Sequence, residues 1–267
     1  MATPQPRFTA TSKDGVPISV FKVGSGPAMV MVHGSASVGL SWASVLPELS
    51  RKFALYVMDR RGRGQSGDAP DYSVQAEIDD IEAVIEAVGE PATLLAHSYG
   101  ALLAVAAAAN GARLKSVSRM ILYEPPVYDV PGPEHSAMHR KMSQAAQSGD
   151  NEAVASEFIA GVMGEQAMKI IRASPGWPLI AAMSGTLLRE VQTVSDYRIS
   201  TTALNSWKVP TTMLLGDQSP DYMKAAARHI CKSMANCQLV MLKGQGHVAA
   251  QQAPSLFVTT VLDAAAQ

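Results

Sequence analysis

Short apolar runs alternate with longer segments of helical period along most of the chain. Seven of the runs have the composition of buried strands: ISVFKVG, AMVMVHG, ALYVMDR, ATLLAHS, RMILYEP, TTMLLGD and QLVMLKG. Because buried strands separated by helices are typical of parallel sheets with crossover helices, the pattern predicts an α/β fold with a mostly parallel central sheet. Most of the runs end on a polar residue or glycine. Ligands of such sheets bind beyond the carboxyl ends of the strands, so we expect the chemistry there.

The alternation of strand and helix candidates stops between Val127 and Lys208. In this region HRKMSQAAQSGDNEAVASEFIAGVMG and WPLIAAMSGTLLREVQ have helical period, with no strand candidate between them. We therefore expect residues 127–208 to form a helical cap or lid, and residues 1–126 and 209–267 to form the core. The chain is expected to close with an amphipathic helix that begins near Pro254.

Composition narrows the class of partner. Of the 267 residues, 47% are hydrophobic and 17% are charged, which favours one large domain with an insertion and a substantial core. A net charge of −1 gives no electrostatic footprint for nucleic acid or an anionic membrane. The longest aliphatic run, ALLAVAAAA, is too short to span a bilayer. We expect a small-molecule substrate, while the oligomeric state stays open.

The two cysteines, Cys231 and Cys237, do not have the spacing of a metal knot. We interpret them as free thiols in a reducing compartment. The first residues, MATPQPRFTATSKDG, lack the apolar segment of a secretion signal. Together these features predict a cytoplasmic protein.

The strongest chemical signal is the segment LLAHSYGALLAVAAA. A strand runs into Ser98 and at once into an alanine-rich helix, which is the context of a nucleophile elbow. Such a turn requires small residues two positions before and two positions after the serine, and Ala96 and Gly100 satisfy this. The alternative role for Ser98 is that of a helix N-cap.

A serine nucleophile needs a base, and His247 is the candidate. It lies in LKGQGHVAA, after the last predicted strand and before the last helix. An imidazole at this place can accept the serine proton. The alternative is an ordinary histidine of a surface loop. His33 is expected to be structural in its turn.

These pieces together resemble the α/β-hydrolase family over nearly the whole chain. The matching motifs, in order, are MVHGSAS, DRRGRGQS, AHSYGA and GQGHV. The resemblance implies an oxyanion hole built from the backbone N–H groups of Ser35 and Tyr99. The arginines of DRRGRGQS match no phosphate-binding spacing, so we expect them to support a turn.

The acid of the triad has two candidates. In most members of the resembling family it follows the strand corresponding to TTMLLGD, three residues beyond the glycine. Here that count from Gly216 arrives at Ser219, and the neighbouring Asp217 is out of phase. Glu124 instead ends the preceding strand of the sheet, MILYE, a placement that resembles that of haloalkane dehalogenases, pancreatic lipases and zearalenone lactonases.

Reach favours Glu124. Adjacent parallel strands end side by side, about 5 Å apart, so an acid on either one can contact the same histidine. We therefore assign Glu124 as the acid in preference to Asp217. The alternatives for Glu124 are a solvated strand-end charge or a salt bridge to one of the arginines Arg60, Arg61 and Arg63.

The expected function is that of a serine hydrolase that cleaves a carboxylic ester or lactone of a hydrophobic small molecule, without metal or organic cofactor. Methionines of the insertion and Trp177, in SPGWPLI, are candidates for the apolar wall that holds the substrate. Two alternatives remain: a carbon–carbon bond hydrolase with the same triad, and a ligand receptor without catalysis on this scaffold.

Overall fold

A computed structural model describes residues 7–110, 114–127 and 133–266 of the chain. Parts of the predicted segments lie outside these residues: residues 1–6 and 111–113 of the expected core, residues 128–132 of the expected cap, and the last residue of the closing helix. All statements about structure below concern the described residues.

One sheet of eight strands organises the chain, in the order β1-β2-β4-β3-β5-β6-β7-β8. The first two strand pairs of the sheet, β1 with β2 and β2 with β4, are antiparallel, and all the following pairs are parallel. The predicted α/β fold with a mostly parallel sheet is thereby confirmed. The strands are β1 Arg7–Thr11, β2 Pro17–Val23, β3 Ala28–Val32, β4 Ala54–Met58, β5 Ala92–His97, β6 Val117–Tyr123, β7 Thr211–Gly216 and β8 Cys237–Leu242.

The central strands are apolar because both of their faces are covered. Every residue of β3, β4 and β7 is buried, as expected for strands of a parallel sheet that is packed on both sides. Since β3 to β8 run in the same direction, their carboxyl ends meet at one edge. The sequence places His33, Glu124 and Asp217 directly after three of these ends, and His97 as the last residue of a fourth.

Helices alternate with the strands, and local signals set several of their ends. Ser73 caps α2 by accepting a hydrogen bond from Ala76 N, and Gly89 ends that helix at a left-handed φ of 75°. The described helices of this part of the chain are α1 Leu46–Leu49, α2 Val74–Val88, α3 Tyr99–Ala109, α9 Thr201–Leu204, α10 Asp221–Ser233, α11 Ala249–Gln252 and α12 Pro254–Ala266, with a 3₁₀ turn at Gly39–Trp42.

The chain divides into two compact units, residues 1–127 with 199–267 and residues 128–198. In the described part of the second unit every element is a helix: α4 Pro133–Gln147, α5 Asn151–Met163, α6 Glu165–Arg172, α7 Trp177–Ala182 and α8 Ser184–Asp196. This unit has an apolar interior of its own, in which α4 packs on α5 and α8. Its buried side chains include Met142, Val154, Phe158, Leu187 and Val191.

The prediction of two free thiols is wrong. Cys231, near the end of α10, and Cys237, the first residue of β8, form a disulfide, with their Cα atoms 5.2 Å apart. The reversal of the chain between α10 and β8 brings the two residues into disulfide range, which a separation of six positions does not reveal.

No helix in the described ranges has the length and apolar character that crossing a membrane requires.

Candidate active site

Ser98 occupies a strained turn between β5 and α3. Its φ of 53° and ψ of −121° lie in a region that side-chain-bearing residues seldom adopt, at a cost of roughly 1–3 kcal/mol. The turn is held by the Ser98 N–H, which donates to Tyr123 O at 2.8 Å. It is also closely packed, because a Cβ at Gly100 would lie 2.6 Å from His33 O. Over the described first turn of α3, the Ser98 hydroxyl makes no capping hydrogen bond, so the N-cap alternative is not what is observed.

The hydroxyl of Ser98 faces His247 instead. His247 lies on the loop between β8 and α11, and its Nε2 is 3.0 Å from Ser98 Oγ. The other ring nitrogen, Nδ1, is 2.6 Å from Glu124 Oε2. Because a carboxylate only accepts, Nδ1 donates to Glu124, and in the tautomer with its proton on Nδ1 the ring can accept from the serine at Nε2. The structure thus brings the three predicted residues into one hydrogen-bonded line.

Glu124 is buried at the end of β6. Its backbone adopts a left-handed φ of 49° immediately before Pro125, and the residue is only 1% exposed. Besides the contact of Oε2 with His247, Oε1 accepts hydrogen bonds from Gly216 N at 2.8 Å and from Ser219 Oγ at 2.5 Å. Three donors therefore stabilise the carboxylate in the absence of water contact, as a buried charge requires. A solvated strand-end charge is excluded by this burial.

Asp217, the other candidate acid, points elsewhere. Its Oδ1 accepts from Gly244 N at 2.8 Å and from the side chain of Gln218. The side chain therefore links the end of β7 to the loop that follows β8 and carries His247. The His247 Nδ1 atom itself contacts Glu124.

Two of the three arginines after β4, Arg60 and Arg61, are paired with acids of α2. Arg60 forms a two-pronged ion pair with Glu77, at 2.6 and 2.8 Å. Arg61 does the same with Asp80, at 2.7 Å for both contacts. These four side chains are nearly inaccessible to solvent. Burial opposes ionisation of Glu77, but Arg60 outweighs it and the pKa of Glu77 is lowered. The pairs tie the turn to α2, which agrees with the expectation that these arginines support the turn.

Two aromatic residues that sequence reasoning missed hold the His247 loop. The Tyr123 hydroxyl donates to Gly246 O and accepts from Ala249 N. His97 Nε2 donates to His247 O at 2.9 Å, and the His97 ring stacks on Tyr123. Burial, followed by the neighbouring His247, holds the pKa of His97 well below its ordinary value, so His97 is neutral. The strand position of Tyr123, directly before Glu124, is the available sequence signal.

The predicted oxyanion-hole residues, Ser35 and Tyr99, belong to two turns next to Ser98. Tyr99 follows it as the first residue of α3, and Ser35 lies in the turn after β3. That turn is close to the serine, since a Cβ at Gly34 would lie 2.8 Å from Ser98 Cβ. The carbonyl of Gly34 accepts from His33 Nδ1 at 2.8 Å and from an arginine of the β4 turn at 3.3 Å. These bonds fix the peptide plane that carries the Ser35 N–H.

His33 is structural, in agreement with the sequence-based expectation. Its Nδ1 donates to Gly34 O and its Nε2 accepts from Arg60 N at 3.1 Å. Burial is the main cause that lowers its pKa well below the ordinary value, and the charges of Arg60 and Arg63 act in the same direction. Both ring nitrogens are therefore committed to backbone groups around the turn.

Trp177 lies in the second unit, as the first residue of α7. The residue is buried, and the guanidinium of Arg172 lies 5.8 Å from the centre of its ring. Its expected role against the substrate stays a prediction.

The chain is similar to known proteins in sequence and in structure. The family model described as the alpha/beta hydrolase family matches residues 29–260. N-formylmaleamate deformylase of Pseudomonas putida is 41% identical over 107 residues, 39% of this chain and 39% of that protein. Cis-3-alkyl-4-alkyloxetan-2-one decarboxylase of Xanthomonas campestris is 31% identical over 119 residues, 39% of this chain and 40% of that protein. The matched stretch thus spans about two fifths of these relatives.

A solved structure is similar over the whole fold. The crystal structure of an alpha/beta hydrolase from Sphaerobacter thermophilus superposes with a TM-score of 0.83 and 28% sequence identity. The similarity covers 96% of this chain and 99% of that chain.

Proposed function

The chain belongs to the alpha/beta hydrolase family, and on that premise we propose that it hydrolyses a carboxylic ester or lactone of a hydrophobic small molecule through an acyl-enzyme. The observation that carries the proposal is the line of hydrogen bonds from Ser98 through His247 to Glu124. This line begins in a strained strand-to-helix turn, where the surrounding structure holds a serine hydroxyl next to the His247 imidazole.

The geometry supports a two-step reaction. Ser98 Oγ attacks the substrate carbonyl carbon while its proton passes to His247 Nε2. The carbonyl then re-forms, the bond to the leaving alkoxide oxygen breaks, and His247 gives the proton to that oxygen. Water next attacks the acyl-enzyme carbonyl carbon while His247 Nε2 accepts its proton. The carbonyl re-forms, the bond to Ser98 Oγ breaks, and His247 returns the proton to Oγ, which releases the acid and restores Ser98. Glu124 holds the ring in the productive tautomer and stabilises the imidazolium that forms in each step.

Ser35 and Tyr99 complete the proposed site. In each step the carbonyl oxygen becomes negative, and the backbone N–H groups of these two residues are its proposed donors. The hydrogen bonds to Gly34 O support the assignment of Ser35, because they orient that peptide before substrate binds. A single donor of this kind contributes roughly 3–4 kcal/mol where it has been measured.

The second unit supplies the proposed substrate specificity. We propose that residues 127–208 act as a cap and that Trp177 belongs to the apolar surface that contacts the acyl or alcohol group. The Trp177→Ala variant should then raise KM for long-chain p-nitrophenyl esters more than for the acetate. Equal KM changes for both esters would argue for a purely structural tryptophan.

The cytoplasmic location remains part of the proposal, and the disulfide is the observation against it. Disulfides persist mainly in oxidising compartments, so the Cys231–Cys237 disulfide favours such a compartment over the cytoplasm. Composition and charge bear on the partner instead, and they favour a small-molecule substrate over nucleic acid or a membrane. Labelling of thiols in freshly lysed cells tests the location: two labelled cysteines fit a reducing compartment, and none fits an oxidising one.

The experiment for the central claim is hydrolysis of p-nitrophenyl acetate and butyrate by the wild type and by Ser98→Ala, with Ser116→Ala as the matched control at an exposed turn serine outside the proposed cap. Loss of the nucleophile should lower kcat by about 10⁴-fold or more, and the control should keep the wild-type rate. Mass spectrometry of an acid-quenched reaction should find the acyl group on Ser98. Full activity of Ser98→Ala would contradict the proposal.

A lactone and an N-formyl amide belong in the same substrate panel. The amide is included because the Pseudomonas putida relative is named for deformylation of N-formylmaleamate. If the wild type binds these compounds tightly but turns none of them over, the receptor alternative replaces the proposal. If only carbon–carbon bonds are cleaved, the ester assignment fails while the triad stands.

A further inference from the structure

A buried serine outside the proposed triad contacts its acid. Ser219 lies in the turn between β7 and α10 and is 3% exposed. Its hydroxyl donates to Glu124 Oε1 at 2.5 Å, across 95 positions of sequence. The turn is tight, since Ser219 N donates to Gly216 O and a Cβ at Gly216 would lie 2.9 Å from Ser219 Oγ.

The two carboxylate oxygens of Glu124 accept hydrogen bonds from different parts of the chain. Oε2 accepts from His247 Nδ1 at 2.6 Å, and Oε1 accepts from Gly216 N and from Ser219 Oγ. The two donors on Oε1 both come from the β7 side, whereas the backbone of Glu124 belongs to the end of β6. Because they fix Oε1, they also fix the plane of the carboxylate and therefore the direction of Oε2.

The backbone donor and the hydroxyl donor differ in what they can do. The Gly216 N–H is a backbone group at the end of β7, so a side-chain substitution does not remove it. The Ser219 hydroxyl is the donor that a side-chain substitution can remove while the backbone stays in place. A charged acceptor strengthens such a bond, and the cost of losing it is high where no water replaces it.

We propose that Ser219 is a positioning residue, which holds the Glu124 carboxylate in the orientation that His247 requires. The inference rests on the proposed function and goes further, because it assigns a fourth side chain to the catalytic line. Ser219 touches no reacting atom and acts through Glu124 alone.

A double-mutant cycle tests this action through Glu124. The variants are Ser219→Ala, Glu124→Gly and the combination, each assayed for kcat and KM with p-nitrophenyl acetate. Glycine is chosen at position 124 because it accepts the left-handed φ of 49° without strain. Thermal unfolding of every variant checks that it is folded.

In the wild-type background Ser219→Ala should lower kcat by about 10- to 100-fold, with KM changed by less than about threefold. In the Glu124→Gly background the same change should alter kcat by less than about twofold, because the group through which it acts is absent. An equal loss in both backgrounds would mean that Ser219 merely supports the turn and would overturn the proposal. A wild-type kcat for Ser219→Ala would overturn it too.

A second variant keeps the test possible if the first one does not fold. If Ser219→Ala does not fold, Ser219→Cys takes its place in the cycle, since a thiol has nearly the same shape and is a weaker donor. We then expect a kcat loss of at least about fivefold that again disappears in the Glu124→Gly background. A Ser219→Cys variant with the wild-type kcat would contradict the proposal.

The failure of this inference and the failure of the proposed function give different results. If Ser98→Ala is fully active, the proposed function itself is wrong. If Ser98→Ala is inactive and the Ser219 effect is equal in both backgrounds, only the role of Ser219 is wrong.

Discussion

Strands β6 and β7 are neighbours in the sheet, and each is followed by an acid, yet the two acids have different surroundings. Glu124, after β6, is buried and contacts His247. Asp217, after β7, is half-buried and accepts from Gly244 N on the loop before His247. One carboxylate thus faces the imidazole, and the other supports the loop that carries it.

The difference comes from backbone direction and from side-chain length. The left-handed φ of Glu124 turns the chain at the strand end, and its side chain reaches across to Gly216 N at the end of β7. Asp217 follows Gly216 directly, and its shorter side chain ends at the turn. A shared sheet edge therefore places two acids next to the loop that carries His247, and local geometry decides that Glu124 contacts the ring.

Among the changes that keep Glu124 an acid or leave it untouched, the largest effect is expected from shortening its side chain. Glu124→Asp removes one methylene, which should move the carboxylate roughly 1 Å away from His247 Nδ1. A misplacement of that size can reduce the rate by about 10²-fold, and we expect kcat for p-nitrophenyl acetate to fall by about that factor. The mirror change, Asp217→Glu, is the control and should stay within about twofold of the wild type. Equal losses in both variants would remove the distinction between the two strand ends.

A smaller effect is expected from loosening the histidine loop. Tyr123→Phe keeps the ring that stacks on His97 but removes the hydroxyl that binds Gly246 O and Ala249 N. Loss of these bonds should destabilise the protein by about 1–2 kcal/mol and lower kcat by about tenfold, measured by urea unfolding and steady-state assay.

Tyr56→Phe is the matched control, at a tyrosine of β4 that packs against Phe8. It should leave kcat unchanged. If Tyr123→Phe also leaves kcat unchanged, the strand end of β6 orients His247 through Glu124 alone.

The smallest effect concerns pH and the end of β5. The pKa of buried His97 is lower in the folded protein than in the unfolded chain, so below about pH 6.5 the unfolded chain binds more protons. The free energy of unfolding should therefore fall as pH falls, by up to about 1.4 kcal/mol per unit for each such histidine.

Urea unfolding between pH 7.5 and 5.5 measures this dependence. His97→Asn should reduce the fall by about 1 kcal/mol, because it removes one of the groups with a lowered pKa. The remaining dependence includes His33, whose pKa is also lowered. An unchanged slope in His97→Asn would show that His97 does not contribute.

The fold was predictable because its central strands are continuous apolar runs, such as the fully buried β3 and β7. Strand β1 gave a weaker signal, since Ala10 is its one fully buried residue in the described structure. Ser98 and His247 were predicted from short motifs in their strand and loop contexts, and in the structure they lie within hydrogen-bond distance of each other. Glu124, which contacts His247, was predicted because the end of a strand can be read from sequence.

The contacts that connect these residues were not predictable. The Ser219 hydroxyl bond, the Tyr123 bonds to the loop and the Cys231–Cys237 disulfide all depend on how separate turns meet in space. The order of residues along the chain carries little information about which turns lie next to each other in space. Counting along the chain did arrive at Ser219, but only the structure shows that its hydroxyl binds the acid on the neighbouring strand.

The most direct test of the account is the rate of Ser98 acylation, measured under single-turnover conditions with p-nitrophenyl acetate in the wild type, Glu124→Gln and Asp217→Asn. We expect Glu124→Gln to slow acylation by about 10³- to 10⁴-fold, as loss of a triad acid does, and Asp217→Asn to stay within about threefold of the wild type. If Asp217→Asn shows the large loss and Glu124→Gln does not, the acid comes from the end of β7 and the central claim is wrong.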